Sequence, residues 1–465
     1  MRRIITLLAA ALALAPAVSR AQSTPVVVEQ SQSATVVETK KGDVVTERST
    51  TVAVLAEKKS PITFTPYGFV LLNAFFNDSP FLSHTYPGQA LPCPAIGAAN
   101  GCNQGGSFVM NVKQSRIGTR IALDDSAGWT QAKLSGLFEV DFQGGFTGTN
   151  SAAFYNAIMR LRKVWGEAAW GSESRFSIRF GQDDRIISPL RPNSLAFVAD
   201  PLFQTAGLLH GRAPQLALRY DLTPKDGFGF TLAAAALNPQ EVTFTDFGTQ
   251  PGTAVDFGAG NRGRLPNFEG RLGLGIRSGG TKVVDLGLWG GWQRNRFVAR
   301  QSATSTDLGD VDINSTVIGA DLTFNLWIFQ GLAEIYQGKG YDAPGSLATQ
   351  GITFKTTGTP ATLLLPPEGV AVKATGGWFQ LALNLNPVLV YGGWGGTQTP
   401  VKELIGTTLG QPAGRIQNYM WALGAIVSAG KNWRFSVEYA DTRSWYYTGG
   451  FADGHQYSVN SQLLF

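Results

Sequence analysis

From Pro66 to the C-terminal Phe465 the chain repeats one pattern, runs of about ten residues in which apolar and polar side chains alternate. A strand turns successive side chains to opposite faces, so each run carries one apolar and one polar face. In Gln114 to Leu123, Ile117, Ile121 and Leu123 oppose Gln114, Arg116, Gly118 and Arg120. In Thr130 to Phe142, Leu134, Phe138, Val140 and Phe142 oppose Lys133, Ser135, Glu139 and Asp141. Phe176, Ile178 and Phe180 stand against Arg175, Ser177 and Arg179, and Phe379, Leu381, Leu383 and Leu385 against Gln380, Ala382 and Asn384.

About sixteen such runs begin near residues 66, 114, 130, 156, 175, 215, 228, 269, 282, 314, 327, 375, 388, 416, 432 and 456. Their connections alternate between tight and long. Tight ones include Gly171-Ser172-Glu173-Ser174, Ser278-Gly279-Gly280 and Ala429-Gly430-Lys431; long ones lie near 77–112, 143–155, 184–214, 238–268, 294–312, 338–373, 396–415 and 443–455. An even number of strands with short turns on one side and long loops on the other predicts an all-β fold: a 16-stranded antiparallel transmembrane β-barrel with short periplasmic turns and long extracellular loops. Trp129, Trp165, Trp170, Trp327 and Trp433 fall beside proposed short turns, and Trp292, Trp394 and Trp445 toward the long loops, as two interfacial girdles.

Composition removes the competing classes. The 465 residues are 43% hydrophobic but only 15% charged, with 56 glycines, which excludes disorder throughout. Outside the extreme N-terminus no apolar run approaches the ~18 residues of a spanning helix. Mean hydropathy is −0.01, the average of two unlike faces. Met1 is followed by Arg2 and Arg3, an apolar stretch from Ile4 to about Ala15, and the small-x-small group Ser19-Arg20-Ala21, which reads as a cleaved secretory signal over 1–21. Its removal takes the formal charge from +5 to about +2, so bulk charge points to no anionic macromolecule, nucleic acid included. Residues 22–60 are expected to form a flexible periplasmic extension and 61–465 the barrel. Cys93 and Cys102 read as one disulfide pinning a loop, since two thiols without neighbouring histidine do not complete a metal site.

Charge on the polar face locates the candidate site. Parity turns Arg116, Arg120, Arg160, Arg162, Arg179, Arg219, Arg271 and Arg277 inward with Glu139, Asp141 and Glu269, and later Asp285, Asp321, Glu334 and Glu438, with Arg434 the exception. The expected lumen is basic on one wall and more acidic on the other, because Arg facing lipid would cost ~2–4 kcal/mol at the midplane. The third long loop combines Asp183, Asp184, Arg185, Arg191, Asp200, His210 and Arg212 with the apolar Leu195-Ala196-Phe197-Val198, a composition that predicts inward folding and a constriction. The arginines have two readings: a ladder that attracts anions, or pairing with Glu139, Asp141, Asp183, Asp184 and Asp200 that rigidifies the wall.

His84, His210 and His455 all fall in proposed loops, and no nucleophile setting is recognisable, so neither a catalytic site nor a cofactor is expected. The last strand sets Tyr457, Val459, Leu463 and Phe465 on one face and ends on the aromatic. It resembles the signal engaged by the outer-membrane barrel assembly machinery.

With Ser115-Arg116-Ile117-Gly118, the run from Arg162 to Phe180-Gly181-Gln182-Asp183-Asp184, and the terminal Tyr457 to Phe465, the chain resembles the Gram-negative general porins and, among them, the DcaP-like group associated with dicarboxylate passage. That resemblance implies passive diffusion of small hydrophilic solutes, a homotrimer surrounded by outer-membrane lipid and lipopolysaccharide, and a third loop lining the constriction. Carboxylates or phosphate are the anions expected to benefit. The alternatives are a structural or adhesion barrel plugged by its loops and an outer-membrane lipase-type enzyme. The extension lacks the apolar heptads of a coiled coil.

Overall fold

The computed structural model describes residues 62–91, 106–123, 132–144, 158–239, 259–300, 307–341, 351–357, 362–363, 368–405, 415–447 and 450–465. All lie in the compact unit Lys59–Phe465. The signal, the extension, Cys93, Cys102 and Trp129 fall outside them.

Sixteen antiparallel strands close on themselves. β1 (Ile62–Asn77) is followed by β2, which is interrupted (Ser107–Asn111 and Arg116–Leu123), β3 (Lys133–Asp141), β4 (Arg160–Trp170), β5 (Ser174–Asp184) and β6 (Arg212–Leu222). Then come β7 (Gly227–Leu237), β8 (Asn267–Ser278), β9 (Thr281–Arg300), β10 (Asp307–Leu326) and β11 (Phe329–Lys339). The last five are β12 (Lys373–Asn384), β13 (Val388–Gln398), β14 (Arg415–Ala429), β15 (Trp433–Tyr446) and β16 (Phe451–Leu464). Each pairs with its sequence neighbours, and β1 closes the ring with Phe69 opposite Leu464. Closure satisfies every strand edge, which a sheet in hydrocarbon requires.

The alternating pattern sorts the faces as expected. Phe228, Ile318, Ile335, Leu423 and Val459 are exposed on the outside, whereas Asn73, Glu139, Asp321, Glu438 and Asn460 are buried within. Strand starts fall within a few residues of the sequence positions, with three corrections. β2 breaks after Asn111 because Gln114 leaves the ladder for the interior; Ser115 Oγ accepts the Leu71 N–H at 2.9 Å and so replaces a ladder bond. The stretches 294–312 and 443–455 are mostly strand, so His455 lies in β16 rather than in a loop. β9 and β10 have 20 residues each, about twice a membrane span, and Arg294 and Arg296 clasp Asp312 across them. Finally, Trp165 faces the lumen, where the Arg179 guanidinium lies 4.1 Å from its ring centre, and belongs to no girdle.

Residues 185–211, the third outer connection, lie inside the barrel. Leu195, Phe197, Leu202, Phe203 and Leu208 form one buried cluster with Trp378 of β12, Tyr391 of β13, and Met420 and Ala422 of β14. Ile187 and Leu209 join Trp289, Val317 and Tyr336 in another. Each large side chain so buried contributes ~1.5–3 kcal/mol, so the loop is held by a core of its own. Phe203 stacks on Trp378 at 5.8 Å, and Gly393 and Gly395 leave it room: a Cβ on either would stand within 3.0 Å of its ring.

Candidate functional site

Three wall carboxylates capture the third loop. Glu438 on β15 accepts the Leu195 and Ala196 N–H groups at 2.8 and 3.0 Å, with Ser194 Oγ and Tyr391 OH each at 2.5 Å. Glu334 on β11 accepts Ser188 Oγ (2.6 Å), Leu190 N (2.9 Å) and Trp378 Nε1 (2.9 Å). Glu269 on β8 takes the Arg185 guanidinium and the Tyr341 hydroxyl. On the opposite side, Gln114 accepts from Val198 N and Ala199 N at 2.9 and 2.8 Å and donates to Ala196 O at 2.6 Å.

These contacts correct the expectation of an acidic wall. Glu334 and Glu438 do point inward, but the loop covers both, and they are spent on its amides and hydroxyls. Asp285 and Asp321 are paired with Arg271. Parity could find the carboxylates; it could not find what they bind, because their partners are backbone N–H groups more than a hundred residues away in sequence.

A second wall runs from β2 to β6, and the sequence-derived arginines meet there. Asp141 accepts Arg160 Nη2 and Arg162 Nη1, each at 2.7 Å. Glu139 accepts Arg162 Nε at 3.0 Å and Tyr67 OH at 2.8 Å, with Arg116 Nη1 at 3.5 Å. Arg179 bridges Glu167 and Asp183 at 2.7 and 2.5 Å. Farther along, Arg219 pairs with Asp221 at 2.6 Å. Arg277 donates to Gly280 O beside a short turn, and Arg434 is exposed.

Lys163 was missed. Strict alternation turns it outward, but the β3–β4 register shifts between Glu139 and Val140, so that Arg162 and Lys163 both reach lumenal carboxylates. Lys163 Nζ meets Asp183 at 2.9 Å and Asp184 at 2.5 Å. A bulge admits one extra residue into a strand and re-aims its neighbours, and the sequence carries no mark of where it falls.

The loop contributes Arg191, whose Nη2 lies 2.7 Å from Asp184 and 2.9 Å from His210 Nε2. Burial, then the Arg191 charge, holds the His210 imidazole well below its ordinary value, so it adds no charge. Arg185 and Asp200 also lie in the loop, while Asp183 and Asp184 end β5 and Arg212 opens β6. Asp200 sits within electrostatic reach of Lys113 and Arg160.

The pairing is incomplete. Arg116 Nε and Arg212 Nη1 are buried and make no hydrogen bond, and both side chains feel the charges of Arg162 and Arg191. Among the described residues Arg120 forms no ion pair; its guanidinium lies over the Tyr67 ring at 4.8 Å and is exposed. Between the loop and β4–β8 a cavity of about 250 Å³ is lined by Lys163, Arg179, Arg185, Arg219 and Arg271 against Glu167, Asp183 and Asp184. Cationic side chains therefore exceed carboxylates along this wall.

No protein-family model matches the chain, and no curated protein matches its sequence. Among solved structures it is similar to the outer membrane channel DcaP of Acinetobacter baumannii, at 13% identity over 88% of this chain and 98% of that one, with a TM-score of 0.64. The anion-selective porin from Comamonas acidovorans (14% identity, 87% and 100% covered, TM-score 0.48) and OmpT of Vibrio cholerae (11%, 88% and 99%, 0.48) superpose too loosely to add to it. At these identities the likeness establishes the fold: the chain has the barrel architecture of outer-membrane porins.

Proposed function

We propose that this chain is an outer-membrane diffusion channel that passes small hydrophilic solutes down their gradients and prefers anions. The observation that carries the reading is the charge of the wall along β2–β6, where cations exceed the acids that pair with them. A row of fixed guanidinium groups in a low-dielectric constriction raises the local concentration of anions and lowers that of cations. Carboxylates or phosphate esters are the matching solute class, since guanidinium binds both through paired N–H donors. The process is passive, needs no cofactor and involves no chemical step.

Residues 1–21 are proposed as the export signal and 22–60 as a periplasmic extension. The outward Tyr457, Leu463 and Phe465 are proposed to engage the assembly machinery. Phe465 already exchanges both backbone hydrogen bonds with Gly68, sealing the barrel at its last residue. A homotrimer in a lipopolysaccharide-bearing membrane is the corresponding assembly.

Purified protein in planar bilayers is expected to give stepwise conductance, and a salt gradient a reversal potential of anion-selective sign. A cation-selective sign overturns the anion preference and leaves the channel. Heat-modifiable migration on gels without any conductance would instead favour a loop-plugged barrel, a reading supported by the burial of the third loop against β12–β14.

A further inference from the structure

The first outer connection also enters the barrel mouth. Phe81–Ser83 and Tyr86–Ala90 pair as a short hairpin, and its backbone is bound by inward side chains of β14 and β15, among them Arg415, whose Nη1 donates to Gly88 O at 3.4 Å. Thr442 Oγ1 donates to Pro87 O at 2.5 Å, Tyr446 OH to Ala90 O at 2.5 Å, and Ser444 Oγ accepts Ala90 N at 3.1 Å. Phe81 and Ala90 are buried with Tyr446 and Ala452.

The same hairpin touches the third loop. Tyr86 OH donates to Pro201 O and accepts from Thr205 N, both at 3.3 Å, and its ring stands edge-on to Phe197 at 5.6 Å. Thr205 Oγ1 donates to Gly88 O at 2.6 Å. Asn418 on β14, fully buried, ties all three parts together. Its Nδ2 donates to Gly88 O and to Thr205 O, each at 2.9 Å, while its Oδ1 accepts Ser444 Oγ at 2.7 Å. Gly88 makes the approach possible: a Cβ there would lie 2.4 Å from the Tyr86 ring and 2.9 Å from Thr205 Cγ2.

We infer that the Tyr86–Ala90 hairpin is a second constriction element, locked to the third loop through Asn418 and Gly88, so that the two loops act as one unit that closes the β14–β16 side of the mouth and confines solutes to the arginine wall. Asn418 is a positioning residue in this scheme. The consequence for passage rests on the channel reading; the lock itself does not.

Two variants approach the lock from opposite sides. Asn418→Asp keeps the volume and the Ser444 contact but replaces the two donors with an anion facing carbonyl oxygens. Gly88→Ala wedges the hairpin from Thr205 without touching a barrel strand. In the full-length detergent-purified protein, each is expected to speed amide exchange at 86–90 and at 201–206 together, by ~10-fold for the lost buried hydrogen bonds. In bilayers each is expected to raise single-channel conductance and move the reversal potential toward zero. Loosening of one loop without the other overturns the lock, and loosening of both with conductance and selectivity unchanged overturns its role in confining solutes. Wild-type protein without conductance defeats the channel reading, while exchange still decides the lock. If Asn418→Asp does not reach the heat-modifiable form, Gly88→Ala decides it alone.

Discussion

Arg191 Nη2 stands 2.9 Å from His210 Nε2, and because a guanidinium only donates, the imidazole accepts there and carries its proton on Nδ1. A buried histidine beside Arg191 and Arg212 is thereby kept neutral, with Asp184 the opposing charge. The geometry and the depressed affinity for a proton agree.

A pH dependence follows from this contact. The folded imidazole titrates below its ordinary value of ~6.5, so below that pH the unfolded chain binds a proton that the folded chain does not. Stability contributed by the neutral ring is fully present above pH ~6.5 and is lost as pH falls, by at most ~1.4 kcal/mol per unit, until the folded group titrates. The apparent unfolding midpoint of wild type should drop more between pH 7.5 and 5 than that of His210→Asn. Equal drops would place the acid sensitivity in the carboxylates.

The incomplete pairing of the arginine wall predicts a graded electrical effect. Arg116→Gln with Arg120→Gln should reduce anion selectivity, visible as a reversal potential closer to zero in a salt gradient, while the barrel still forms. Arg116 makes long contacts to Glu139 (3.5 Å) and to Val198 O of the third loop (3.4 Å) and lies over the Phe69 ring, and Arg120 stacks on Tyr67. An unchanged potential would assign both to wall stiffness.

Glu438 receives five loop and wall donors apart from the neighbouring Ser436, and none is cationic. Glu438→Gln keeps the shape but turns an amide NH₂ toward N–H groups. Each buried donor left unpaired costs ~1–3 kcal/mol. Limited proteolysis of the solubilised variant should cut within 185–211 where wild type resists. Resistance equal to wild type would show that the apolar cluster alone holds the loop.

The face assignment can be tested at Leu423, which is 61% exposed in mid-β14 and points away from the lumen. Leu423→Arg should lose ~2–4 kcal/mol in lipid. Folding yield into vesicles, measured by the heat-modifiable band, should fall sharply for Leu423→Arg and hardly for Leu423→Val. Equal yields would mean that this face does not meet hydrocarbon.

Much of the site was readable because a two-residue period has only two outcomes. Once Phe138 faces lipid, Glu139 and, two residues on, Asp141 must face inward, and the same logic placed Arg116, Arg160 and Arg179. The apolar Leu195-Ala196-Phe197-Val198 similarly marked a loop that needs cover. Parity failed at Lys163, where a bulge resets the register, and at Trp165, whose ring serves Arg179 rather than a membrane interface. It was silent about Asn418, Thr442 and Ser444, because an uncharged polar residue inside a barrel reads the same whether it faces water or a docked backbone.

The sequence by itself thus determined the number of strands, their faces and the inward charge, since these follow from local alternation repeated along the chain. Only the tertiary structure decided which carboxylates hold the third loop, which arginines remain incompletely paired, and that a second hairpin shares the mouth. The loop and the hairpin are held by contacts between segments 144 to 355 residues apart, to backbone groups that every residue carries and that no side-chain pattern records.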